Sequence, residues 1–187
     1  MAIPRYPIET ERLRLRPFRG ADLPAMLSLY RLPEVLRYLY VGERSVDEIA
    51  AALEERKSKT ALKTEGDKLV LAVELKETGQ CIGEVVLIWL SATHKSAEIG
   101  FIIHPNFHGK GLGAEAIRPL IDFAFARMDI HRVIGRCDGR NTASARLMEK
   151  LGMRREAHLV ENEFVKGEWT DELVFALLDR EWQAKQR

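Results

Sequence analysis

From Thr10 to Pro17 polar residues alternate with Leu13 and Leu15, the two-residue period of a strand buried on one face. Gly20-Ala-Asp22 opens a different rhythm, in which Leu23, Met26, Leu27 and Tyr30 recur three or four residues apart; this predicts helical chain from Ala21 to Leu39. Ser45-Val-Asp-Glu48 has the spacing of a capping box, and Ile49, Ala52, Leu53 and Arg56 share one helical face, so a second helix is expected from Ser45 to about Leu62. Leu69 to Leu75, the turn Lys76-Glu-Thr-Gly79 and Cys81 to Trp89 read as an antiparallel hairpin, and Ala97 to Ile103 as a further strand.

Beyond Pro105 and a glycine-rich stretch, Ala114 to Met128 has a helical period, His131 to Cys137 that of a buried strand, and Ala143 to Leu151 that of a helix stopped by Gly152. Val160 to Val165, Lys166-Gly167 and Trp169 to Leu177 form a closing hairpin, with a charged end containing Trp182. No linker or repeat interrupts the series, so residues 1–187 are expected to form one domain.

Composition narrows the picture. With 46% hydrophobic and 30% charged residues the chain can bury a substantial core. Lysine plus arginine total 29 against 28 acidic residues, a net charge of +1, which gives no overall field for nucleic acid or an anionic membrane. Met1-Ala2-Ile3-Pro4-Arg5 lacks an apolar signal core, and runs such as Val85 to Leu90 fall far short of the ~20 residues that span a bilayer. A cytoplasmic protein with neither nucleic-acid nor membrane partners is therefore expected. Cys81 and Cys137 lie in apolar runs without zinc-type spacing, which predicts buried reduced thiols and no metal.

The candidate chemistry starts at His108-Gly109-Lys110-Gly111-Leu112-Gly113-Ala114, between a predicted strand and a predicted helix. Unpaired amides and the helix dipole at such a place favour a phosphate, although the glycines would equally serve a tight turn. The spacing lacks G-x-x-x-x-G-K-[ST], which excludes a P-loop. Gly111-Leu-Gly113-Ala-Glu-Ala116 satisfies G-x-G-x-x-A, and Asp138 ends the following strand. A dinucleotide domain would, however, need several more strand-helix units than the fewer than fifty residues after Asp138 provide.

Taken together, Glu98-Ile-Gly-Phe-Ile-Ile-His-Pro105, the glycine loop with Glu115 and Ala116, Asn141-x-x-Ser144 and Leu151-Gly-Met153 resemble the GNAT N-acetyltransferases in order and spacing. Glu11-Arg-Leu-x-Leu-Arg16, Gly167-Glu-Trp-Thr-Asp171, Leu177 and Glu181-Trp182 extend the resemblance to the RimJ/RimL-type branch, over essentially the whole chain. The resemblance implies an α/β fold: a mixed, mostly antiparallel sheet splayed in the middle, with helices on both faces and acetyl-CoA in the cleft near Ile102 and Ile134. It also implies that Gly109 to Ala114 wrap the pyrophosphate, with Ile102, Ile103, His108, Asn141 and Ser144 completing the cofactor site. His108 departs from the Gln or Arg that usually opens the superfamily's loop.

Transfer from a thioester to an amine needs a base, oxyanion stabilisation and a proton for the leaving thiolate. Glu163, Glu98 and Glu84 are the contenders for base, directly or through water; the resemblance puts Glu163 first, although a hairpin glutamate can simply face solvent. Ser144 is the candidate acid, or its hydroxyl bonds back to Asn141, itself an N-cap. Many GNAT enzymes use a tyrosine where this chain has Met148, and Tyr6, Tyr30, Tyr38 and Tyr40 all lie near the amino end. An amide between Gly100 and His104 would polarise the carbonyl. His104 could serve as a base or only end its strand; His94, His131 and His158 have no partner spacing. The acceptor is a protein α-amine, a polyamine or another small amine, in a monomer or homodimer, and a catalytically silent CoA sensor is the rival.

Overall fold

The computed structural model describes residues 2–186. The strands are β1 (Ile8–Glu9), β2 (Leu13–Arg16), β3 (Lys68–Leu75), β4 (Cys81–Ser91), β5 (Ser96–Ile103), β6 (Arg132–Asp138), β7 (Arg154–Val165) and β8 (Glu168–Leu178). The helices are α1 (Leu23–Leu29), α2 (Pro33–Leu36), α3 (Val46–Ser58), α4 (Leu112–Met128), α5 (Thr142–Leu151) and α6 (Asp179–Gln186). All eight strands join one sheet in the order β1-β2-β3-β4-β5-β6-β8-β7.

The expected helix from Ala21 to Leu39 is broken in two. Pro33 has no N–H to donate and disfavours helical backbone at the residue before it, and Leu32 is extended with φ −76° and ψ 119°. The second helix starts where its capping box predicts, with Ser45 accepting from the Glu48 amide and Glu48 from the Ser45 amide, but stops at Ser58. Lys59 leaves helical geometry, and its carbonyl accepts from the Val70 amide of β3. The closing hairpin is longer than its apolar signal: β7 begins at Arg154, and Lys166 and Gly167 make its two-residue turn with φ of 54° and 84°.

Alternation along the strands separates two cores. On one face α4 and α5 lay Ile117, Leu120, Ile121, Met148 and Leu151 against Leu71, Leu87, Ile99, Val133 and Phe175, with Trp182 of α6 at the margin. On the other, α1 and α3 bring Met26, Leu29, Ile49 and Leu53 onto Val70 and Ala72. This second face also holds Arg16, 5% exposed, bridged to both Asp22 oxygens at 2.8 Å and to Glu74 at 2.6 Å. Burial pushes the Asp22 and Glu74 carboxyls up, but the arginine contacts outweigh it and hold both below the usual carboxylate range.

The sheet parts in its middle. β5 and β6 form its parallel pair, only from Ser96↔Arg132 to Ile99↔Gly135. Past that point β5 continues through Ile103 along β4, and β6 through Asp138 along β8. At the fork a Cβ on Gly135 would meet the Met148 sulfur at 2.6 Å, so α5 packs as close as glycine allows. Cys137 is buried; Cys81 is half-buried rather than buried as expected, and burial pushes both free thiols up to about 11. Among the described residues no helix is long and apolar enough to cross a membrane.

Candidate active site

The fork opens into a cleft of about 370 Å³. One wall is the end of β5 beyond its pairing with β6, Phe101 to Ile103; a second is the loop carrying His108, Gly109, Gly111, Leu112 and Gly113. The start of α5 adds Asn141, Ala143, Ser144 and Leu147, and α2 with the segment after it closes the mouth with Glu34, Val35, Tyr38 and Leu39. Lys166 at the hairpin tip pins that segment by donating to the carbonyls of Leu36 and Leu39.

The loop is built as an anion cradle. Gly109 and Gly111 have φ of 75° and 78°, a left-handed conformation that costs a side-chain-bearing residue about 1–2 kcal/mol. Gly111 is the N-cap of the 17-residue α4 and offers no side-chain cap, so among the described residues no side chain takes up the amides of Leu112, Gly113 and Ala114 at the positive end of the dipole. At Gly113 a Cβ would lie 3.1 Å from the end of the Leu147 side chain of α5, which would have to shift by a few tenths of an ångström. The His108 Nε2–H donates to the Ile103 carbonyl at 2.7 Å and ties the loop back to the strand end, which resolves its departure from the usual Gln or Arg as a positioning contact.

Most of the predicted cofactor residues therefore meet in one cleft. Lys110 and Ala114 do not line it: the Lys110 ammonium rests 5.5 Å from the Phe107 ring centre, and Ala114 is buried in the first turn of α4. Asn141 caps α5 through Oδ1, which accepts from the Ser144 amide at 3.0 Å. The Ser144 hydroxyl does not bond back to Asn141; among the described residues it has no hydrogen bond and lines the cleft.

The three carboxylates separate by environment. Glu84 is already fully engaged, accepting from Arg56 at 2.6 and 3.1 Å and from the Tyr30 hydroxyl at 2.6 Å, so its oxygens are taken up by structural contacts. Glu98 precedes the last residue of β5 that pairs with β6 and alternates onto the sheet face of Gly100 and Ile102. Burial pushes its carboxyl up, Arg136 at 3.6 Å opposes this, and the nearby Glu172 charge adds to it, leaving a net rise. Glu163 is half-buried at a bulge in β7, opposite Thr170.

Glu172 escapes sequence reading, because one more glutamate in the alternating Glu168 to Leu178 strand carries no motif. It is 2% exposed, pairs with Asp138 across β6, and accepts from Asn162 Nδ2 at 3.2 Å and from the Tyr40 hydroxyl at 3.4 Å. The one available signal is position: it shares an inward-facing row with Thr170 and Val174. Burial and the nearby Glu172, Glu163 and Asp138 charges push the Tyr40 phenol well above its ordinary range.

His104 Nδ1 accepts from the Asn106 amide at 3.3 Å, and Nε2 lies 3.4 Å from Ser28 Oγ. His158, expected to lack a partner, pairs with Asp171 at 2.6 Å across the hairpin. Met148 is buried below the fork.

Among the described residues a forked sheet, an uncapped helix behind a glycine loop and a hydroxyl without a hydrogen bond on the next helix border one elongated cleft with room for an anionic group at its helix end. Residues 12–154 match the family model of the acetyltransferase (GNAT) domain. The uncharacterized N-acetyltransferase YnaD of Bacillus subtilis (strain 168) is 31% identical over 175 residues, 94% of this chain and 98% of the relative. A GNAT-family acetyltransferase structure from Bacillus anthracis superposes with a TM-score of 0.81 at 28% identity, covering 97% and 100% of the two chains. The Vibrio cholerae spermidine N-acetyltransferase, solved with CoA and spermine, gives 0.77 at 26% identity over 93% and 99%. The chain belongs to the GNAT acetyltransferase family and is an acetyl-CoA-dependent N-acetyltransferase.

Proposed function

We propose that this enzyme acetylates a primary amine by direct attack inside a ternary complex, with no acetyl-enzyme intermediate. Bound in the cleft, acetyl-CoA supplies an acyl group activated as a thioester. The observation that carries the reading is the fork: beyond Ile99 and Gly135 the sheet opens, and near it the Glu172 charge acts on Glu98 and, with Glu163, on Tyr40. The α4 amides hold the phosphates, and an amide between Gly100 and His104 donates to the thioester oxygen. Ser144 Oγ delivers the proton to the departing sulfur, and its freedom from other hydrogen bonds supports that role. Glu98, with its raised carboxyl, or Glu163, at the hairpin bulge, takes the proton from the amine. The two thiols are in keeping with a cytoplasmic location.

The acceptor is an ammonium in water, and the acidic face favours its approach. A protein α-amine, as in the RimJ/RimL-type branch, is the first reading. A small polybasic amine is the second, supported by the buried Glu172 beside Glu98 and by the likeness to a spermidine acetyltransferase.

The test is CoA release with a panel of N-terminal peptides, polyamines and aminoglycosides, on wild type, Glu98→Gln, Glu163→Gln and Ser144→Ala. Ser144→Ala is expected to lower kcat about 100-fold with unchanged acetyl-CoA binding. The acid limb of the kcat/KM profile is expected to vanish in one glutamate variant, which identifies the base. Binding without turnover of any acceptor would favour a sensor and defeat the proposal.

A further inference from the structure

We infer that Lys166 is a positioning residue of this enzyme: from the tip of the closing hairpin it latches the segment that roofs the cleft, and so sets how readily the donor enters and leaves. The inference rests on the assignment of the cleft to acetyl-CoA. The roof cannot hold its shape by local structure. Helix α2 has four residues, far fewer than a helix needs to persist by itself in water, and from Arg37 to Arg44 the chain forms neither helix nor strand. Glu34, Val35, Tyr38 and Leu39 of this segment line the cleft. Leu36 is buried, and Val35 and Leu39 also pack against the core under α1 and α3, so apolar contact anchors the root of the roof and leaves its far end to polar ties.

Lys166 supplies the main tie. The last carbonyls of a helix have no donor within it, and a lysine ammonium close by satisfies them. The Leu36 and Leu39 carbonyls both accept from Lys166, the second at 2.9 Å. The Leu36 carbonyl also receives the Leu39 amide, whereas among the described residues the Leu39 carbonyl has no other donor. These partners stand 130 and 127 residues before Lys166, so only the fold creates the contact. The arm starts from a fixed base: Lys166 and Gly167 form a two-residue turn with φ of 54° and 84° between the paired residues Val165 and Glu168. A second, longer tie runs the same way, from the Tyr40 hydroxyl to Glu172 of β8 at 3.4 Å. Arg37 lies over the Tyr38 ring within the roof itself and fastens it to nothing else. Both ties end on the hairpin that also carries Glu163, so the roof and a candidate base are fixed to one element.

The experiment follows hydrogen exchange at residues 33–42 by mass spectrometry, CoA affinity by calorimetry and the urea midpoint, in wild type, Lys166→Met and Lys166→Arg. Lys166→Met keeps the length of the arm and removes the ammonium. It is expected to speed exchange at residues 33–42 about fivefold and to weaken CoA binding by a similar factor, as loss of one net hydrogen bond at an exposed site would. The urea midpoint and exchange in α4 and β6 should stay as in wild type, and Lys166→Arg should restore most of both losses. Unchanged exchange at residues 33–42 would show that the roof holds without the lysine, and faster exchange with unchanged CoA affinity would show that the roof does not govern the donor; either overturns the inference. So would a lowered urea midpoint with faster exchange throughout, which would mark Lys166 as part of the general fold. None of these readouts needs an acceptor, so a wild type that turned over no amine would defeat the proposed reaction and leave the latch to be decided by them. A wild type that bound no CoA would sink the cleft assignment and this inference with it.

Discussion

Substituting Gly83 by alanine should damage the cofactor strand from behind. Gly83 of β4 pairs with Ile103 of β5, and a Cβ added to it would stand 2.1 Å from the Ile102 carbonyl oxygen and 3.0 Å from Ile103 Cα. Ordinary contact begins near 3.4 Å, so the backbone of Ile102 must retreat by about 1.3 Å, a displacement no side-chain rotation can absorb. Overpacking of this kind costs about 1–3 kcal/mol. Because Ile102 and Ile103 wall the cleft, misplacement on this scale is expected to lower kcat/KM for acetyl-CoA about 10- to 100-fold. Urea unfolding and steady-state kinetics read the two effects, and Gly100→Ala is the control for stability: a Cβ there meets only Val86 at 3.7 Å and should cost well under 1 kcal/mol. Equal stability and unimpaired kinetics for Gly83→Ala would refute the close approach and the placement of the donor against this strand.

Arg16→Met should destabilise the fold by about 3 kcal/mol, since it leaves Asp22 and Glu74 buried without their cation; urea unfolding at pH 7 measures it. Because both carboxyls titrate lower in the fold than in the unfolded chain, their contribution is fully present above the ordinary carboxylate range and is lost as pH falls through the lowered folded values. Thermal unfolding from pH 7 to 3 should therefore show the gap between wild type and Arg16→Met closing only at the acid end. Glu98 has the opposite sign: its folded carboxyl is raised, so the ionised form weakens the fold at neutral pH, and Glu98→Gln should unfold at slightly higher urea at pH 7 but not at pH 4. Met148→Tyr should lose stability by about 2 kcal/mol in urea unfolding, because the side chain is buried against Gly135.

What the chain reveals by itself follows from how local each signal is. Alternating Leu13 and Leu15, the Ser45 capping box and the turn at Lys166-Gly167 involve neighbours in sequence, and the elements formed there. The glycine loop was legible because the left-handed backbone at Gly109 and Gly111 favours glycine. The start of β7 was not: Arg154 to Glu156 lie exposed on an edge strand, where no core imposes an apolar rhythm. The break at Pro33 was legible in principle, but the apolar spacing on either side masked it. Arg12 with Glu115, Lys166 with Leu39 and Tyr40 with Glu172 join distant stretches of chain, and only the folded sheet brings them together. For the same reason Glu84 looked as available as Glu98 until Arg56 and Tyr30 were seen to occupy it.

The central claim is that the fork brings thioester and amine together in one complex. Initial velocities with acetyl-CoA and an acceptor amine both varied, followed by intact mass of the enzyme quenched during turnover, test it most directly. Intersecting double-reciprocal lines and an unmodified protein mass are predicted; parallel lines with an acetylated protein would contradict direct transfer across the split sheet.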